Sequence, residues 1–262
     1  MVDDLKIIPL PAFNDNYIWL LHRGDSAVVV DPGDEGPVLA YLEEHRLTLT
    51  AILVTHHHGD HIGGINNLLA HREVPVFGPA DEAIATLSHP LADGDRVDLP
   101  EIGVSFEVIA VPGHTRGHIA YYGRNIHSCG VLFCGDTLFA CGCGRIFEGT
   151  AEQMWHSLSR LAALPGDTRA YCAHEYTQAN IRFALAVEPD NRDLQTRAAA
   201  VEKLRAADQP TVPMILSDEL ATNPFLRWNA PTVIAAASRF SGETLEEPVK
   251  VFTAIREWKN KF

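Results

Sequence analysis

At 262 residues the chain can hold one large domain, or a medium domain with a small appendage. Its 46% hydrophobic content is that of an ordinary globular protein, and no apolar run approaches the roughly 18 residues that a membrane span needs. A formal net charge of −13, with 21 Lys and Arg and no long basic run, excludes the counterion-displacing face of a nucleic-acid binder.

In chain order, the acidic start Met1-Val2-Asp3-Asp4 has no apolar stretch and predicts no secretory signal. Residues 5–10, 16–21 and 27–31 read as strands, the last ending in the turn Asp31-Pro32-Gly33. Helical spacing of Val38, Leu39, Leu42 and Leu47 predicts a helix, residues 51–54 a buried strand, and Gly63-Gly64 the start of a short helix through Leu69. Further strands are expected at 74–77, 104–111, 119–122, 131–134 and 169–172. Before the last of these, Thr150-Ala-Glu-Gln153 has capping-box form and opens a helix to Leu164. After residue 174 the pattern turns helical: 177–208 with Asp190 or Asn191 as a cap, then 230–240 and 248–261, with no further strand expected. A boundary therefore falls near 175, giving parts 1–174 and 175–262. Periodicity alone supports α/β or α+β, with two sheets back to back and helices outside.

The chemistry concentrates where apolar runs end. Ala51-Ile52-Leu53-Val54 leads into Thr55-His56-His57-His58-Gly59-Asp60-His61, and imidazole with carboxylate is a donor set that borderline divalent metals accept. His56 and His58 can face one ion while Asp60 and His61 face a second. A histidine run by itself can be a solvated loop, but the same construction recurs at Val111-Pro112-Gly113-His114, Phe133-Cys134-Gly135-Asp136 and Tyr171-Cys172-Ala173-His174. Seven residues then make a two-metal hydrolytic site, with Asp136 able to bridge. His118 is expected in the sheet or behind the ligands, and His57 turned away from them. Five cysteines without framework spacing read as reduced thiols, which suits a cytoplasmic location, and Cys141-Gly-Cys143 reads as a tight turn beside the site.

These residues resemble the metallo-β-lactamase superfamily. Gly135-Asp136-Thr137-Leu138-Phe139, Gly142-Cys143-Gly144-Arg145, Phe147-Glu148-Gly149-Thr150 and Cys172-Ala173-His174-Glu175-Tyr176-Thr177 resemble its glyoxalase II (hydroxyacylglutathione hydrolase) family, and the likeness runs from Ile8-Pro9 to the last residue. The resemblance implies an α+β fold, an αββα sandwich with a carboxyl-terminal helical domain. It also implies hydrolysis of S-2-hydroxyacylglutathione thioesters, S-D-lactoylglutathione giving D-lactate and glutathione, the second step of methylglyoxal detoxification. Two divalent ions, zinc foremost with iron or manganese as alternatives, are expected. One would be held by His56, His58 and His114, the other by Asp60, His61 and His174. The resemblance implies that Asp136 would bridge them and that a metal-bridging hydroxide would be the nucleophile. Asp60 can also orient that hydroxide, so Asp60 and Asp136 are the catalytic candidates.

Substrate contacts follow from the same likeness. Arg256 and Lys259 stand three apart on one helix face and match a pair that grips the glycine carboxylate of glutathione. Arg145 and Tyr176 match glutathione contacts, and Phe147 stands where some members carry tyrosine. A cationic centre and these side chains would draw an anionic substrate into an acidic protein. The only partner expected is the thioester, with no nucleic acid and no membrane, and the chain is expected to act as a monomer. Two-zinc lactamases commonly carry cysteine where Asp136 stands, whereas lactonases share the seven ligands and differ by lacking the Arg145 and Arg256/Lys259 features.

Overall fold

A computed structural model describes residues 5–262. The acidic residues 1–4, on which the expectation of no secretory signal rests in part, lie outside the described residues. The chain divides into two compact units. One holds the residues up to Ala110 with Thr115–Gly135; the other holds Val111–His114 with Asp136–Phe262.

The first unit is built on strands β1 (Lys6–Ala12), β2 (Asn16–Arg23) and β3 (Ser26–Val30), helix α1 (Glu35–His45), strand β4 (Thr48–Leu53), helices α2 (Gly59–Ile62) and α3 (Ile65–His71), and strands β5 (Val76–Pro79) and β6 (His89–Leu91). The six strands form one sheet in sequence order, antiparallel from β1 to β3 and parallel from β3 to β6. Residues alternate across it: Ile18, Leu20, Val29 and Ile52 pack with Val38 and Leu42 of α1 and Leu68 of α3, while Trp19, Leu21, Val28 and Leu53 point to the opposite face and are equally buried. A strand buried on both faces needs a second layer. Strands β7 (Arg96–Leu99), β8 (Val104–Ala110), β9 (Ile119–Ile126) and β10 (Cys129–Gly135) supply it as an antiparallel array. The buried Tyr121 of β9 ties the layers by donating its hydroxyl to Val54 O at 2.8 Å.

Helix α1 begins three residues earlier than its apolar spacing predicts, because Asp34 Oδ1 caps it by accepting from Gly36 N at 2.8 Å. It ends at Arg46 in the left-handed conformation, which leaves Leu47 outside. The one-turn helix α2 and the strands β6 and β7 are too short for periodicity to announce them.

The second unit contains β11 (Leu138–Phe139), β12 (Gly142–Cys143), α4 (Ala151–Ala162), β13 (Arg169–Cys172), α5 (Thr177–Val187), α6 (Arg192–Ala206), β14 (Met214–Ile215), α7 (Leu216–Thr222), α8 (Pro231–Ser241) and α9 (Pro248–Lys261). Both halves of the capping box at Thr150 and Gln153 are present. The stretch 177–208 is two helices, because Pro189 forbids continuation and Asn191 caps the second by accepting from Leu194 N at 3.1 Å. The expectation that no strand follows residue 174 is corrected by β14, two residues that pair with β13; so short a strand carries no alternation to read. By contacts the chain divides at 135/136, with α4 packed on α9 and β12 on α5, so that residue 175 lies inside the second unit.

The β11–β12 hairpin is held from a distance. Glu219 of α7 accepts from Cys141 N at 2.8 Å and from Asn223 Nδ2 at 3.0 Å, and it pairs with Arg197 of α6. Asn223 Nδ2 in turn donates to Phe139 O at 3.2 Å and Gly142 O at 3.0 Å. Glu219 is fully buried, so the arginine and these donors are what make its charge tolerable there.

Candidate active site

In the first unit, β4 runs into the ligand segment and Asp31 fixes where that segment starts. Asp31, at the end of β3 with φ +54, accepts from Thr55 N and from Thr55 Oγ1, both at 2.7 Å. Because Thr55 gives its proton to a carboxylate, its oxygen accepts from His56 Nδ1 at 3.1 Å, which leaves the Nε2 lone pair of His56 pointing onward. That nitrogen faces His58 Nδ1 at 3.1 Å. His61 Nδ1 lies 3.1 Å from Asp31 Oδ2, and its Nε2 lies 3.6 Å from Asp60 Oδ2. Asp60 is set by Asn16, whose Nδ2 donates to Oδ2 at 2.9 Å. Gly33 admits this arrangement, since a Cβ there would meet the Asp60 carbonyl oxygen at 1.8 Å.

His118 stacks on the candidate ligand His56 with centroids 4.6 Å apart and planes at 19°. His57 turns away to Glu82, 3.0 Å from its Oε2.

In the second unit, His114 Nδ1 donates to Arg145 O at 2.8 Å, since a carbonyl can only accept, so Nε2 carries the lone pair. That Nε2 faces Asp136 Oδ2 at 3.4 Å, and His174 Nε2 faces Asp136 Oδ1 at 3.3 Å. A buried carboxylate thus lies between two imidazoles, each with a nitrogen turned toward it. Gly144 keeps the loop tight: a Cβ there would meet Asp136 O at 2.0 Å and His114 Nδ1 at 3.2 Å.

Both donor sets fit divalent metal. Three of the imidazoles have one nitrogen set by an oxygen, His56 by Thr55, His61 by Asp31 and His114 by the Arg145 carbonyl, the kind of partner that fixes tautomers at metal sites, and the other nitrogens face a carboxylate or a second imidazole. Asp31→Asn should loosen Thr55 and His61 together, lowering metal affinity and turnover about tenfold; a metal titration alongside the rate checks it.

Beside Asp136 and His114 opens a cavity of about 420 Å³, lined also by Phe139, Cys143, Arg145, Phe147, Tyr176, Asn180, Arg256 and Lys259, all in the second unit. Tyr176 stacks flat on His174, with centroids at 4.7 Å and planes at 3°. Phe147, 62% exposed, sets its ring against His114 at 5.3 Å. Lys259 Nζ donates to Ala179 O at 3.2 Å, and burial, then the charges of Arg256 and Arg182, push its pKa down to about 8.

Arg256 departs from expectation. It lines the cavity, but it is 5% exposed and Nη1 donates to Cys143 O at 3.0 Å, with Phe225 under the guanidinium at 5.0 Å. It braces β12 as well as facing the cavity. Cys134, Cys141, Cys143 and Cys172 are buried, whereas Cys129, which also reads as a buried thiol, is only half-buried; burial, then the Glu219 carboxylate, holds Cys141 up at about 12, and burial does the same to Cys172. Such thiols carry no thiolate for metal or redox chemistry at neutral pH.

Comparison with known proteins decides the family. Residues 12–174 match the Metallo-beta-lactamase superfamily, and residues 175–262 match Hydroxyacylglutathione hydrolase C-terminus. A hydroxyacylglutathione hydrolase of Nitrosomonas europaea is 53% identical over 98% of this chain and 97% of its own. One of Vibrio vulnificus, hydroxyacylglutathione hydrolase 2, is 54% identical over 98% and 100%. The chain belongs to the hydroxyacylglutathione hydrolase family.

Its fold is accordingly the metallo-β-lactamase α+β architecture with a helical carboxyl-terminal part. A solved structure of ETHE1 from Myxococcus xanthus is alike in fold, with a TM-score of 0.63 over 97% of each chain at 23% identity. TTHA1623 in a di-iron-bound form gives a TM-score of 0.53 at 30% identity, over 64% of this chain and 91% of that one. Family membership makes the chain a hydrolase with a divalent-metal-binding His/Asp cluster. Three residues of the site escape sequence reasoning. Asp31 reads as a turn residue, and Asn16 and Glu219 sit inside regular elements with nothing local to mark them.

Proposed function

We propose that this protein hydrolyses S-2-hydroxyacylglutathione thioesters, S-D-lactoylglutathione foremost, to the 2-hydroxy acid and glutathione, and so completes methylglyoxal detoxification. The observation that carries this is the cavity of the second unit, where Arg145, Arg256 and Lys259 share walls with His114 and Asp136. A substrate with carboxylates at one end and a scissile carbonyl at the other suits such a cavity. The names of the relatives in Nitrosomonas europaea and Vibrio vulnificus agree with it.

His56, His58 and His114 would hold one divalent ion, Asp60, His61 and His174 a second, and Asp136 both; zinc is proposed, with iron and manganese as alternatives. Bound divalent ions supply Lewis acidity and make water acidic enough to act as a nucleophile near neutral pH. The chain's residues do the rest. Asp60, positioned by Asn16, accepts a hydrogen bond from the attacking water and aims it. Lys259 and Arg256 hold the glycine carboxylate, Arg145 and Tyr176 contact the peptide, and Phe147 offers an apolar edge without a hydroxyl. Water adds to the carbonyl carbon, the C–S bond breaks, and the departing thiolate needs little acid assistance, which suits a site with no dedicated proton donor. On this reading residues 1–174 carry the reaction and, through Arg145 and Phe147, part of the substrate wall, and 175–262 carry the grip on the glycine carboxylate.

No helix of the described residues is long and apolar enough to cross a membrane. A cytoplasmic setting is proposed on the strength of five free cysteines, and the chain is proposed to act as a monomer.

Specificity constants measured side by side for S-lactoylglutathione, a β-lactam and a homoserine lactone should differ by several orders of magnitude in favour of the thioester. A lactone or lactam in first place overturns the assignment.

A further inference from the structure

Helix α5 brings to the cavity of the second unit a side-chain amide that the fold uses only by half. Asn180 lines that cavity and is 6% exposed. Its Nδ2 donates to Ala140 O at 3.1 Å. A carbonyl can only accept, so the amide nitrogen must take that side and the oxygen the other. Among the described residues none donates to Asn180 Oδ1. The amide has little room to swing toward a partner: a Cβ on Gly142 would meet its Nδ2 at 2.4 Å and its Oδ1 at 2.9 Å, so the group is packed against that glycine. A nearly buried acceptor held in one orientation without a donor costs stability, and the oxygen is what this side chain has left to offer the cavity.

The charged walls around it supply the opposite chemistry. Arg145, Arg256 and Lys259 offer donors alone. Asn180 adds what they lack, an uncharged acceptor. Its neighbour in the chain, Ala179, also lines the cavity and accepts from Lys259 Nζ at 3.2 Å. The acceptor therefore stands one residue along the helix from the place where the Lys259 ammonium is tied. A ligand that sets a carboxylate on Lys259 and carries an N–H close behind it can use both groups. In a carboxyl-terminal glycine a single carbon separates the two.

We propose that Asn180 accepts, through Oδ1, the N–H of the amide joining cysteine to glycine in a glutathione thioester, and so selects for a peptide bond at that place. This deepens the thioester-hydrolase reading and rests on it. Asn180 binds and does not react. An ammonium is a point charge that holds a carboxylate without fixing its direction, whereas an amide acceptor of set orientation aligns the peptide that follows.

The test uses the metal-loaded full-length enzyme and two substrates. One is S-lactoylglutathione; the other is its depsipeptide analogue, with glycolate in place of glycine, so that an ester oxygen stands where the N–H was. The parent should lose about tenfold or more in kcat/KM on the analogue, mainly through KM, because one acceptor then faces another. Asn180→Ala should lose a similar factor on S-lactoylglutathione and treat the two substrates alike. Asn180→Asp, which keeps an oxygen on the cavity side and gives up the bond to Ala140, should still prefer the amide. A parent that hydrolyses both substrates equally well overturns the proposal and leaves the thioester-hydrolase reading intact, whether or not any variant folds. Equal losses on both substrates in Asn180→Ala would show that the side chain only braces the Ala140 carbonyl, which also overturns it. A parent inactive on S-lactoylglutathione overturns that reading and the proposal with it.

Discussion

Asp136→Ala should abolish turnover and release bound metal, the largest effect expected from any single change in this protein. Asp136 sits 3.4 Å from His114 Nε2 and 3.3 Å from His174 Nε2 and is 7% exposed. Removing it leaves two imidazoles facing a void and takes away the only anion between them in the second unit. A partner behind a metal ligand already contributes about 10- to 100-fold to affinity or activity, so loss of a shared carboxylate should exceed 100-fold in kcat. Elemental analysis of the purified variant should show metal content below that of the parent, for which about two ions per chain are expected. A variant that keeps both ions and most of its activity would show that Asp136 is no ligand, and one ion in a fully active parent would overturn the binuclear arrangement.

The second large effect separates two residues that sequence pairs. Lys259→Ala should raise KM for S-lactoylglutathione about 10- to 100-fold with kcat nearly unchanged, because a contact with a distant carboxylate is made equally in the ground and transition states. That range corresponds to the roughly 1.5–3 kcal/mol of a charge-assisted hydrogen bond. Arg256→Ala should raise KM as well and also lower the melting temperature, since it strands the Cys143 carbonyl and empties the space over Phe225. The loss should shrink for a thioester lacking the glycine carboxylate; equal losses on both substrates would place the glutathione elsewhere.

Acidity gives a further check on the same contact. Lys259 has its pKa lowered to about 8 by burial and then by Arg256 and Arg182. In the free enzyme its ammonium is present below that pH and lost above it. KM should therefore climb as pH rises through about 8, while kcat, which depends on other groups, should not follow. The Lys259→Ala variant should lose that rise.

How much of this was legible depended on whether the signal was local. The four strand-end ligand segments were readable because an apolar run ending in His or Asp is visible within six residues. The helix 248–261 was readable to the residue, since Pro248 opens it and its apolar spacing is regular. Asp31, by contrast, acts through Thr55 and His61, residues 24 and more positions away, and no pattern within a short window reports such a bond. Arg256 misleads for the opposite reason. Helical spacing gives its face correctly but not its depth, and the carbonyls that absorb its charge belong to a hairpin more than a hundred residues earlier.

The hairpin Leu138–Cys143 has a bearing on the order in which the molecule comes together. Two residues per strand cannot hold a hairpin in water, so β11 and β12 depend on the Glu219 carboxylate and the Asn223 amide for their shape. Both lie some eighty positions downstream. During synthesis the wall of the cavity must stay unformed until the ribosome has passed α7, long after the His56–His61 segment has emerged. A nascent chain would then hold its first ligands in place well before it owns a pocket to put a substrate in.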